Sequence, residues 1–229
     1  MTFPQNPAAA RVTLNDVVMR VGELWRYPVK SMAGERLERA VLTADGIAGD
    51  RVVHVADARN RMITARTAPR LLAHKSELDA AGEPRVDGRP WMAPEVAEAV
   101  RDAAGEGARL VRWDGSERFD VLPLLVATDG AIGALGVDGR RLRPNIVVSG
   151  VVGLAEREWP GRRLRIGEAL IQLVKLRGRC VMTTYDPDTQ AQDLGVLRRI
   201  AHDFGGRMAL DASVIDGGRI AVGDVVSLV

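Results

Sequence analysis

The chain has 229 residues, 46% of them apolar, with 32 lysines and arginines against 30 aspartates and glutamates and a single cysteine. It is long enough for a sizeable core, while its nearly balanced charge, spread without a block of one sign, argues against a dedicated nucleic-acid arm. No apolar run approaches the ~18 residues of a membrane span, and one cysteine excludes an internal disulfide and fits a reducing, cytoplasmic setting.

Residues 1–16, MTFPQNPAAARVTLND, are rich in proline, alanine and polar residues and lack the basic-then-apolar order of a secretory signal, so a disordered leader is expected. Beyond them, short Val-, Leu- and Ile-rich runs divided by Gly and Pro recur: VVMRVGELW, RAVLTA, RVVHVA, ARLVRW, LLVAT, NIVVSG, ALIQLVKL and DVVSLV. They predict a mainly β fold, α+β in class. In RVVHVADARNRMITA a polar turn around Ala58 to Arg61 joins two such runs, the pattern of a hairpin. The stretch AAGEPRVDGRPWMAP, 80–94, reads as an exposed insertion without catalytic groups. In ALIQLVKL, Leu170, Val174 and Leu176 alternate with Ile171 and Leu173, which predicts a strand covered on both faces.

Three helices are predicted. APEVAEAVRDAAG has Pro94 near a first turn, Val96 and Val100 one turn apart and Gly105 as a stop. TDGAIGAL begins at Thr128 or Asp129 as a cap, and LGVLRRIAHDFGG places Leu194, Leu197 and Ile200 on one face.

Chemistry concentrates in a few stretches. RGRCVMTTYDPDTQ sets Cys180 beside Arg177 and Arg179, and guanidinium groups favour the thiolate, the form that attacks or binds metal. On an extended chain both arginines face away from Cys180, so they act on it only through a turn, which Gly178 permits. The opposing reading is a cysteine packed as a small hydrophobe beside Val181 and Met182. WRYPVKSMAG places Lys30 and Ser31 in a loop before Gly34, equally suited to holding a phosphate or to being a plain strand-to-loop transition. GDR (49–51), RMITARTAPRL (61–71) and RLRPNIVVSG (141–150) add cations near strand ends, the last displaying Arg143 and Asn145 around Pro144. His54, His74 and His202 lack metal-ligand spacing, which argues against zinc, and no serine sits in a G-x-S-x-G elbow.

The segments LWRYPVKSMAG, GDR, MITARTAPRL, RLRPNIVV, RGRCVMTTYDPDT and a VGD near the C-terminus stand in the order seen in the MOSC family, the molybdenum cofactor sulfurase C-terminal domain proteins. From about Val21 to Val229 the chain resembles the branch of amidoxime-reducing components and bacterial N-hydroxylated-base reductases. The resemblance implies a MOSC-type β-barrel with peripheral helices at 114–229, preceded by a small N-terminal MOSC β subdomain at 17–113, the two intertwined around one cofactor site. It implies a molybdenum–molybdopterin cofactor with Cys180 as metal ligand and catalytic residue. Lys30, Ser31, Arg51, Arg143, Asn145 and Arg179, and more loosely Thr128 and Asp129, would contact the cofactor. Gly178 stands where relatives often have a second cysteine, and Leu142 where they commonly have Phe.

The activity so implied is a molybdenum-dependent oxidoreductase acting on small N-hydroxylated compounds. Since the chain has no clustered cysteines for a ferredoxin domain, electrons would come from a separate ferredoxin- or cytochrome-like protein. No nucleic-acid or membrane partner is expected. The alternatives are a sulfur carrier or transferase holding a Cys180 persulfide, and a non-enzymatic anion-binding module.

Overall fold

The computed structural model describes residues 18–113, 115 and 118–229. The expected leader at 1–16 lies outside the described residues, as does residue 114, where the second domain was expected to begin. In chain order the N-terminal half contains β1 (Arg20–Arg26), β2 (Glu35–Leu37), β3 (Arg39–Thr43), β4 (Gly46–Ile47), β5 (Val53–Ala56), β6 (Met62–Ile63), β7 (Ser76–Leu78), β8 (Pro84–Val86), β9 (Arg89–Pro90), α1 (Pro94–Ala104) and β10 (Arg109–Arg112). The C-terminal half contains β11 (Leu124–Thr128), α2 (Asp129–Leu135), β12 (Ile146–Ser149), β13 (Arg163–Ile166), β14 (Ala169–Gly178), α3 (Leu194–Asp203), β15 (Arg207–Asp216), β16 (Gly218–Ala221) and β17 (Val226–Leu228).

The molecule is mainly β. Its largest sheet has eight strands in the order β17-β13-β14-β15-β11-β12-β1-β2, antiparallel throughout except for β11 and β12, which α2 connects in parallel. The expected barrel is not closed by ladders among the described residues. The row of strands ends at β17 and β2, and its return to β1 is an isolated bridge between Arg20 and Val225. Three small sheets flank it: β10-β5-β6, β16-β3-β4 and β7-β8-β9.

β11 shows why the layers stack as they do. All five of its residues are buried; Leu124 and Val126 enter one core with Val21, Ile146 and Ile171, while Leu125 and Ala127 enter another with Leu135, Val196 and Ile200. The period of two thus divides one strand between the large-sheet core and the helical layer. A third cluster, built on Val29, Val53, Val55, Leu71, Val96 and Val100, forms the N-terminal half.

The hairpin expected at 53–63 is β5 paired with β6, Val55 opposite Ile63, with Asn60 left-handed in its turn. Two other sequence expectations need correction. On β14, Ala169, Leu170, Ile171 and Leu173 are buried and Leu176 packs against the large-sheet core, but Val174 is 44% exposed beside a register shift between Leu173 and Lys175. On α3 the buried positions are Val196 and Ile200, one turn apart, whereas Leu194 is 47% exposed. Side chains on a helix lean toward its N-terminus, so Leu194 at the first position points past the start of the helix and away from the core. The 80–94 stretch is largely exposed but ordered, as the turn and strands of the β7-β8-β9 sheet with Val86 buried beneath.

Candidate functional site

Where the two halves meet, a cleft of about 100 Å³, open to solvent, has Cys180 in its wall. Six cationic side chains, Lys30, Arg51, Arg66, Arg143, Arg177 and Arg179, line it against one carboxylate, Asp120.

The loop after β1 brings the first of these in. Lys30 N donates to the Val53 carbonyl (2.8 Å), Ser31 Oγ accepts from Ala65 N (3.0 Å) and Ala33 N donates to the His74 carbonyl (2.9 Å), which ties the loop to three segments. Gly34 ends it because a Cβ there would lie 2.3 Å from the Arg26 carbonyl oxygen and 2.5 Å from the Tyr27 ring. Lys30 Nζ, largely buried, pairs with Asp120 Oδ1 (2.9 Å) and donates to the Arg118 carbonyl (3.0 Å).

Beneath the loop lies a buried polar brace. Asp50 accepts from Tyr27 N (2.7 Å), from Asn145 Nδ2 (3.1 Å) and from the Arg51 guanidinium. Asn145 also donates to the Trp25 carbonyl (3.3 Å) and accepts from Leu125 N (3.2 Å), so its amide serves the scaffold that aims Arg51. Tyr27 donates to the Pro144 carbonyl (3.1 Å), and burial, against the pull of Arg143 and Arg51, pushes its phenol up to about 12. The neutral ring then offers its π face to two cations, the Arg143 guanidinium carbon 4.3 Å from the ring centre and that of Arg51 at 5.2 Å.

Seven non-glycine residues among those described have positive φ, and three of them, Ser31 (73°), Arg51 (54°) and Arg143 (55°), line this cleft. Each costs on the order of 1 kcal/mol or more, so the surrounding contacts must hold them there, and strain collected in this way is typical of binding sites.

From the C-terminal half, β14 ends at Gly178 and delivers Arg177, Arg179 and Cys180. Arg177 is bound to the fully buried Asp211 of β15, so its charge is largely spent there. Arg179 donates to the Leu142 carbonyl (2.8 Å); burial, reinforced by Arg177, lowers it to about 10. Cys180 is extended, and its carbonyl accepts from both Thr183 N (3.1 Å) and Thr183 Oγ1 (2.9 Å), which opens a 3₁₀ turn over Val181–Thr184. Its thiol is free and half-buried.

Lys30, Ser31, Arg51, Arg143, Asn145, Arg179 and Cys180 are therefore brought together. Thr128 and Asp129 are not. Thr128 Oγ1 accepts from Ala131 N (3.1 Å) as the cap of α2, and Asp129 accepts from Gly150 N (2.7 Å) and Val151 N (3.0 Å), roles that keep both side chains in the scaffold and out of the cleft.

Two residues not singled out from sequence complete the site. Arg66 comes from the MITARTAPRL stretch and bonds Asp120 Oδ2 (2.6 Å); burial opposes its charge, but the Cys180 thiol and Asp120 together raise its pKa. Asp120 is pushed upward by burial, but hydrogen bonds and charge from Lys30 and Arg66 outweigh this and hold it at about 2. The cation run in which Arg66 lies was a signal; Asp120 follows no recognisable motif.

Fold and cleft together define a mainly β protein that presents one thiol among unpaired and partly paired cations. Residues 18–118 match the MOSC N-terminal beta barrel domain and residues 126–227 the MOSC domain, and the chain belongs to the MOSC family. It is 27% identical to the human mitochondrial amidoxime-reducing component 1, over 74% of this chain and 67% of that protein. The human mitochondrial amidoxime reducing component 2 is 28% identical, over 76% and 68%. Among solved structures, the YuaD protein from Bacillus subtilis superposes with a TM-score of 0.50 at 14% identity, covering 92% of this chain and 95% of that one, a likeness of fold alone.

Proposed function

We propose that the cleft binds a molybdenum–molybdopterin cofactor and that the protein reduces N-hydroxylated compounds with electrons from a separate protein. The observation that carries this reading is the convergence of Cys180 with Lys30, Arg51, Arg143 and Arg179 in one cleft. A soft thiolate suits a sulfur-rich metal centre, and the cations suit the phosphate of a pterin. Among the described residues no group of three or more His, Cys, Asp or Glu is placed to hold a metal, so the protein's own ligand would be the single sulfur of Cys180. The amidoxime-reducing relatives support the same chemistry.

Reducing an N–OH group consumes two electrons and two protons, breaks the N–O bond and releases water. When bound, the cofactor would supply a metal that cycles by two electrons beside that bond. This chain's residues provide the setting. Arg143 and Arg179, which have no carboxylate partner among the described residues, are free to take the phosphate. Asp50, fixed by Asn145, orients Arg51. Asp120, ionised at neutral pH, competes with the ligand for Lys30 and Arg66 and has no proton to give the reaction. A half-exposed thiol that must stay reduced fits the cytoplasm.

The test is the molybdenum-to-protein ratio and pterin fluorescence of protein from a cofactor-producing host, with reductant-dependent turnover of an amidoxime. A ratio near one that collapses in Cys180→Ser together with turnover is the expected result. A sulfur-atom mass increase on Cys180 without molybdenum would replace this reading with that of a sulfur carrier.

A further inference from the structure

On the approach to Cys180 the ladder between β14 and β15 is interrupted twice. Val174 is an extra residue on β14 between Leu173 and Lys175, and Met208 and Ala209 together oppose the single Arg177 between Leu176 and Gly178. Ala209 is left-handed, with φ 61°, a conformation costly for a residue that carries a Cβ. Bulges of this kind re-aim side chains. Asp211 lies between the two irregularities and Arg177 at the second, and the Arg177 Nε donates to Asp211 Oδ1.

Asp211 is fully buried, and its Oδ2 has no hydrogen-bond partner among the described residues, so Arg177 is what holds this carboxylate. A buried carboxylate cancels the charge it faces more fully than an exposed one, because little water screens the pair. Arg177 is committed through Nε alone. Its two terminal nitrogens have no partner among the described residues, and its side chain, 17% exposed, lines the cleft in the same wall as Cys180 three residues on. It therefore offers hydrogen-bond donors with little net charge behind them.

The other cations of the cleft differ. Arg143 and Arg179 have no carboxylate partner among the described residues, which suits a phosphate. Lys30 and Arg66 share Asp120. Arg51 is bound to the buried Asp50, but its guanidinium carbon lies 5.2 Å from the centre of the Tyr27 ring and 6.0 Å from that of Phe119. A dianion is drawn to uncompensated cations, whereas an uncharged oxygen needs donors and gains little from net charge. We propose that Arg177 is a substrate-binding residue, its terminal N–H groups donating to the oxygen of an uncharged N-hydroxylated compound, and that Asp211 is the positioning residue that makes the site prefer uncharged substrates to carboxylate-bearing ones. The substrate's role rests on the reductase reading above; the cancelling of the Arg177 charge by Asp211 does not.

Two readouts test this. In the first, inorganic phosphate is titrated against the full chain. Asp211→Asn, which releases the charge of Arg177, should tighten binding about threefold, and the double variant Arg177→Gln/Asp211→Asn should bind as the parent does. In the second, the cofactor-loaded enzyme is assayed with benzamidoxime and with its 4-carboxylate. The parent should show the lower KM for benzamidoxime, Asp211→Asn should narrow the ratio of the two KM values about fivefold, and the double variant should raise KM for benzamidoxime about tenfold with little change in kcat. Circular dichroism checks that each variant is folded; if Asp211→Asn is not, the double variant, which leaves neither charge unpaired, decides. Weaker phosphate binding by the double variant would make Arg177 a phosphate ligand, and an unchanged KM for benzamidoxime in that variant would leave it a structural ion pair. Either result overturns the proposal, as does an unmoved KM ratio in folded Asp211→Asn. A loaded parent that turns over neither compound would remove the reductase reading and the substrate role with it, and the phosphate titration would still show whether Asp211 cancels the charge of Arg177.

Discussion

Asp120 places a carboxylate where an anionic ligand would bind, 2.9 Å from Lys30 Nζ and 2.6 Å from an Arg66 nitrogen. Replacing it by Asn should therefore strengthen binding of inorganic phosphate by about tenfold, roughly 1.4 kcal/mol, as both cations become available. Unchanged or weaker phosphate binding would show that Asp120 supports the cation cluster and does not compete with a ligand for it. The same contacts set a pH signature. Because the folded carboxyl is lowered from 3.8 to about 2, its stabilisation is present above the unfolded value and fades as pH falls through that interval. The Tm difference between parent and Asp120→Asn should accordingly shrink from pH 5 to pH 2; a difference constant with pH would remove Asp120 from the linkage. Asn145 acts differently. Asn145→Ala strands Leu125 N and one bond of the buried Asp50, and should cost about 2–3 kcal/mol in urea unfolding. At this scale the sequence showed the cations but not their partners. Arg177 looked like a thiol activator and is bound to Asp211, thirty-four residues away, and Asp120 stood in no motif at all.

Elements were more legible than contacts. Pro94, Val96, Val100 and Gly105 mark α1 because a proline start, an i,i+4 apolar pair and a glycine stop are local properties, and β5–β6 declares itself by a polar turn between apolar runs. What failed was the direction each element faces. Leu194 matches the apolar spacing of α3 but sits at its first position, and Val174 matches the pattern of β14 but lies where only β15 pairs with the strand. Whether an apolar residue is covered depends on its neighbours in space, as β14 depends on β15, and not on its own spacing. Thr128 is a case where the element decides function. Its hydroxyl accepts from Ala131 N and leaves the cleft untouched, so Thr128→Ala should lower stability by about 1 kcal/mol and leave phosphate affinity within error of the parent. A loss of phosphate binding in a folded Thr128→Ala protein would return this residue to the site.

At the scale of the whole molecule, the cleft belongs to neither half. Lys30, Ser31, Arg51 and Arg66 come from the N-terminal half, and Arg143, Asn145, Arg179 and Cys180 from the C-terminal half. Beside the cleft, side-chain contacts that cross between them include Arg143 to the Met32 carbonyl, Tyr27 to the Pro144 carbonyl and Asn145 to Asp50. Their partners are about a hundred residues apart, which is why periodicity and spacing could nominate the members of the site but not bring them together; the family resemblance supplied that step. An anion in such a cleft is held by cations from both sides and must stabilise the halves jointly. For a ligand bound only to the folded chain the gain is RT ln(1 + [L]/Kd), about 2.7 kcal/mol at a hundredfold excess over Kd. Inorganic phosphate at that excess should raise Tm as one transition and slow amide exchange in β5 and β6 of the N-terminal half as well as in β14 and β15 of the C-terminal half. Protection confined to one half would mean that the cations of the other point at a different ligand, and the shared cleft would then be a neighbourhood and not a site.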